Sequence, residues 1–181
     1  LRLGVALVGS NDAALDAAGS QGSIGRDIVQ WNRLRASKGS FSESLDFLRR
    51  NPGWPGLALL RERSEKTIPE GADAATVLDF FLVQKPETGW GSLRFAKALW
   101  DTGAKQEAMA EAIRAWTSFS LSEEEEAQFM VDWPKTLARH HWAPMDMLLC
   151  SALTGQAKRH MARIDDAHKA LANARIALRD N

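Results

Sequence analysis

LRFAKALWDTGAKQEAMAEAIRAW, residues 93–116, is the stretch that decides the fold. Apolar or small residues recur at Leu93, Ala96, Leu99 and Trp100, the spacing of one helical face. Asp101-Thr102-Gly103 interrupts the pattern, and a second helical run follows at Ala108, Ala112, Ile113, Ala115 and Trp116. Gly103 suits the left-handed position that ends a helix, because it has no Cβ to clash. The alanines let two helix axes approach closely. The stretch reads as one helix–turn–helix unit.

A single pair of this kind cannot bury its apolar faces alone, and pairs of the tetratricopeptide type stack on one another. Helical periodicity continues in both directions. It predicts helices over 2–8, 11–18, 24–36, 41–50, 54–65, 73–83, 89–101, 105–118, 122–131, 133–140, 143–152, 154–162 and 166–179. Breakers separate them, among them Lys38-Gly39-Ser40, Asn51-Pro52-Gly53, Ile68-Pro69-Glu70-Gly71 and Lys85-Pro86-Glu87-Thr88-Gly89. The one strand-like run, residues 77–83 (VLDFFLV), follows Asp73, a good N-cap, and reads as helix. The expected fold is all-α. It is a right-handed superhelix, or α-solenoid, of antiparallel tetratricopeptide-like helix pairs, loosely spaced and forming a single domain over 1–181.

Composition narrows the classes. The chain has 181 residues, and Lys+Arg and Asp+Glu each total 23, so no global basic field exists to attract nucleic acid. No apolar run approaches the roughly 18 residues needed to span a bilayer. Cys150 is the lone cysteine, so no internal disulfide forms. Seven Trp and seven Phe occur without a single Tyr. Rings at 31, 54, 90, 100, 116, 133 and 142 are expected to wedge between helices, with some free to stack on sugar rings. The chain begins at Leu1 and its last run, ALANARIALRDN, stops in or just after a helix, which reads as a processed, truncated or excised segment.

The candidate chemistry is thin. His140-His141 with Asp146 nearby invites a metal, but adjacent helical residues point about 100° apart and no HExxH pattern supports them. His160 and His168 are isolated and are expected on a surface face. The run Glu123–Glu126 reads as the acidic first turn of a helix capped by Ser122, where carboxylates favour the positive end of the helix dipole. Ser40 with Glu43, and Ser122 with Glu125, have capping-box spacing. GxxxxGK[ST], GxGxxG and GxSxG are all missing, and no spacing singles out a Ser/His/Asp triad. No catalytic, cofactor-binding or metal-ligating residue is assigned.

Residues 51–63, NPGWPGLALLRER, resemble the NPxWPxxxxLRxR segment in the N-terminal part of soluble lytic murein transglycosylases. Trp54-Pro55 would start a helix with Pro in its first turn, and Leu57, Leu59 and Leu60 would pack on the preceding helix. Residues 28–35 (IVQWNRLR), the 93–116 hairpin, residues 140–149 (HHWAPMDMLL) and residues 157–161 (AKRHM) resemble the same family, particularly its alphaproteobacterial branch. The resemblance covers most of 24–179. It implies a periplasmic protein acting on peptidoglycan, with glycan cleavage by one Glu in a separate C-terminal lysozyme-like domain. That domain carries Glu-Ser followed by Gly-Leu-Met-Gln. Here Glu43-Ser44 is followed by LDFLRRNPGWPG, and Gly-Leu-Met-Gln does not occur. The resemblance therefore implies the non-catalytic helical scaffold alone. Its implied partners are glycan strands or its own C-terminal catalytic domain. A helical-repeat scaffold for proteins or peptides is the alternative.

Overall fold

The computed structural model describes residues 15, 17–20 and 22–179. Among these, all regular structure is helical. The helices expected over 2–8 and most of 11–18 lie outside the described residues. The chain divides into two compact units, with the division between Glu87 and Thr88.

The first unit contains α1 (Ile24–Arg35), α2 (Phe41–Arg50), α3 (Leu57–Glu65) and α4 (Ala74–Phe81). Val29, Leu34, Phe47, Leu60 and Phe80 are among its buried apolar residues. Arg50 pins α2 to α1 through Asp27 (2.7 Å) and Gln30 (3.0 Å), and also bonds Asp46 at 2.9 Å. Asp73 caps α4 by accepting from Thr76 N, so the strand-like run folds as helix. Helix α3 departs from expectation. It begins at Leu57 and not at Trp54, because residues 51–56 form successive turns and Gly56 takes a left-handed φ of 70°. Trp54 is half-buried, packed edge-on against Phe47 at 5.7 Å.

The second unit contains α5 (Gly89–Asp101), α6 (Lys105–Ser118), α7 (Glu123–Asp132), α8 (Pro134–Leu137), α9 (Trp142–Cys150), α10 (Thr154–His160) and α11 (Asp166–Arg179). A 3-10 turn, Met161–Arg163, leads from α10 towards α11. Helices α5 and α6 pack most extensively, as the 93–116 pattern predicts. Ala96, Ala108, Ala112 and Ala115 are fully buried with Leu93 and Trp116. The helix expected over 133–140 is shorter, one turn from Pro134 to Leu137, so His140 and His141 lie in the link to α9.

Three helix ends close identically. After α5, Gly103 N donates to Trp100 O and Ala104 N to Leu99 O, with Gly103 at φ 91°. This paired arrangement is the Schellman motif. The end of α1 repeats it at Ser37 (φ 58°), and the end of α9 at Ala152 (φ 61°). A left-handed residue with a Cβ carries strain that glycine avoids. Ala152→Gly should therefore raise stability by about 0.5–1 kcal/mol, and Gly103→Ala should lower it by about 1 kcal/mol. A Cβ on Gly103 meets nothing within 4 Å, so its cost is purely conformational. Thermal unfolding of the two variants beside the wild type measures both signs.

Candidate functional site

In the second unit, a groove of about 440 Å³ lies where the end of α5 meets α7 and α8. Trp100, Val131, Trp133 and Pro134 supply its apolar lining, and Lys97, Asp132, Lys135 and Thr136 its polar groups. Trp100 lies on the same helical face as Leu93 and Ala96, one turn further along α5, at the end of the helix that Gly103 stops. Its ring stays 42% exposed, whereas Trp133 is only 7% exposed. The two indoles meet edge to face at 5.5 Å, so Trp133 fixes the plane of Trp100. Lys105 places its ammonium 5.2 Å from the Trp100 ring centre. Lys97 reaches Asp101 at 3.7 Å, an exposed pair that contributes little to stability. Val131 is 72% exposed beside them.

This arrangement suits binding. An oriented indole face offers apolar area to a flat ligand, and the ammonium, carboxylate and hydroxyl groups around it offer hydrogen bonds to a polar rim. Asp132 is the one carboxylate among the lining residues, and it accepts from Gln128 at 3.1 Å.

The other sequence candidates fall elsewhere. Glu43 caps α2: its carboxylate accepts from Ser40 N at 2.7 Å and pairs with Arg33 at 2.6 Å. The Arg33 hydrogen bond, with help from Ser40, outweighs desolvation and holds this carboxyl below its ordinary range. Asp146 pairs with Arg175 at 2.6 Å and does not join the histidines. No cluster of three or more His, Cys, Asp or Glu among the described residues is arranged to hold a metal.

One expectation needs correction. His160 is not on a surface face. It is 2% exposed, its Nε2 bonds His141 O at 2.9 Å, and its ring lies 5.2 Å from Trp116. His168 is partly exposed and packs its ring, tilted by 39°, against Trp142 at 4.4 Å. The acidic run at 123–126 forms the first turn of α7 capped by Ser122, as the spacing predicts, and two of its members have further partners. Glu125 closes the capping box with Ser122, and it also accepts from Trp90 N at 3.0 Å. Glu126, 4% exposed, pairs with Arg159 at 3.1 Å and Arg163 at 3.2 Å. Spacing gave no signal for these roles, because their partners lie 33 to 37 residues away in sequence.

Glu126 is buried while Arg159 and Arg163 keep partial access to water. Glu126→Ala should cost about 1–3 kcal/mol in urea unfolding, and Glu123→Ala, on the exposed side of the same turn, within about 0.5 kcal/mol. Equal losses would contradict the assignment.

Comparison with known protein families, with curated proteins and with solved structures finds no match to this chain.

Proposed function

We propose that this chain is a non-catalytic helical scaffold that guides peptidoglycan glycan strands, as the helical domain of a periplasmic lytic transglycosylase does. In this reading the helix pairs stack as a superhelix and position a separate catalytic domain. Three things support it. The fold is all-α. The resemblance to that family runs over most of 24–179. The observation that carries it is the oriented, exposed Trp100 in a groove with a polar rim. Indoles of this kind bind sugar rings through their faces while neighbouring polar groups take the hydroxyls.

A protein-binding scaffold is the second reading, and a separate feature favours it. In the first unit, Leu82 and Val83 follow α4 with 79% and 75% exposure. They line a groove of about 170 Å³ with Leu45, Arg49 and Arg61. Exposed neighbouring aliphatics of this kind mark protein contacts.

Co-sedimentation with purified sacculi separates the two. The wild-type chain should pellet with sacculi, and Trp100→Ala should weaken this at least tenfold while its circular dichroism stays helical; the melting temperature falls as well, because more than half of Trp100 is buried. Incubation should release no anhydro-muropeptides. Failure of the wild type to bind removes the glycan reading. Loss of binding on Leu82→Ser/Val83→Ser, with Trp100→Ala unaffected, moves the contact to the other groove.

A further inference from the structure

Residues 88–179 hold two packed clusters. One gathers Leu93, Trp116, Phe129 and Leu137 from α5–α8, and the other gathers Met145, Leu149, Ala157, Ala172 and Ile176 from α9–α11. Where they meet lies a cavity of about 10 Å³, lined by Trp116, Leu121, Glu126, Pro144, Leu148 and His160. The bonds across this seam are polar. Arg159 donates to Leu121 O and Glu126, Arg163 donates to Glu126, and Gln156 bonds Ser120 at 2.7 Å.

His160 sits at the centre. As a neutral ring it donates from Nε2 to His141 O, which ties the end of α10 to the entry of α9. The groups facing it decide what a second proton would do. From α7 comes Glu126, with one carboxylate oxygen on Arg159 and the other on Arg163. From its own helix comes Arg159, from the 3-10 turn Arg163, and from the α8–α9 link His141, itself next to His140. The protonated ring would add a cation beside two guanidiniums whose carboxylate is already shared. The Trp116 ring, 5.2 Å away, gives the imidazolium a cation–π contact but no hydrogen-bond acceptor, and the indole Nε1 of Trp116 is itself buried without a partner.

We propose that the His160 seam is an acid-operated latch: protonation releases residues 142–179 to open as one unit while α5–α8 stay folded. Burial first, and the neighbouring arginines next, hold the imidazole at about 4, well below its ordinary 6.5. Burial also lowers His141. The closed state therefore resists the proton that the open state accepts. Stability of the latch is full above pH 6.5 and declines as pH falls from there towards 4. The carboxylates Glu43 and Asp165, whose folded values are depressed below 4.5 and 3.8, lose their contribution lower in pH, so pH 5 isolates the histidine effect.

Hydrogen exchange on the full chain at pH 7.5 and pH 5, expressed as protection factors, tests this. Amides of 142–179 should lose about 30-fold in protection at pH 5, and those of 93–116 should hold. His160→Gln keeps an N–H donor for His141 O and does not titrate, so its loss should be clearly smaller than that of the wild type. An equal fall in both regions overturns the proposal, as does a His160→Gln response matching wild type. If that variant fails to fold, proton NMR of the wild type decides. An imidazole of His160 that stays neutral to below pH 5 supports the latch, and one titrating near 6.5 in the folded protein overturns it.

Discussion

The close approach of α5 and α6 is the constraint on which the second unit is built. Ala96, Ala108, Ala112 and Ala115 are all without exposure, so the two axes are brought together by residues with no side-chain rotamers to lose. That nearness leaves Trp116 to fill the space beyond α6. Its ring meets Phe129 of α7 at 6.1 Å, His141 at 5.7 Å and His160 at 5.2 Å. One indole thus touches α7, the entry to α9 and the end of α10. A larger residue at any of the four alanines would move the indole and disturb all three contacts together.

Local physics was legible in the sequence and distant pairing was not. The 93–116 hairpin, both capping boxes and the stop at Gly103 follow from spacing and backbone preference over a few residues. The same logic missed the Schellman ends at Ser37 and Ala152, because neither residue announces a left-handed turn. It placed the start of α3 too early, since Pro55 suits a helix start but the turns before Gly56 occupy that position. His160 was misjudged for another reason. A lone histidine beside Lys158 and Arg159 looks like a solvated face, and only the packing of α10 under Trp116 buries it.

The groove followed the same division. Trp100 was recognisable as one of several rings able to leave the core. Which ring did so depends on where α7 and α8 stop, and Trp133 and Pro134 decide that from more than 30 residues away.

Glu125 has a consequence for how the unit assembles. A single carboxylate accepts Ser122 N at the start of α7 and Trp90 N at the start of α5. Gly89 is required for this: a Cβ there would lie 2.7 Å from Glu125 Oε1 and from Leu121. Two helix beginnings distant in sequence therefore share one carboxylate, Trp90 N on Oε1 and Ser122 N on Oε2. In an ideal repeat array each module nucleates by itself and couples only to its neighbour. Here the first turn of α5 is completed by a residue the chain reaches only after α6. A chain cut between α6 and α7 would lose the Trp90 N acceptor and leave the first turn of α5 to its local cap, Thr88, which accepts from Gly91 N.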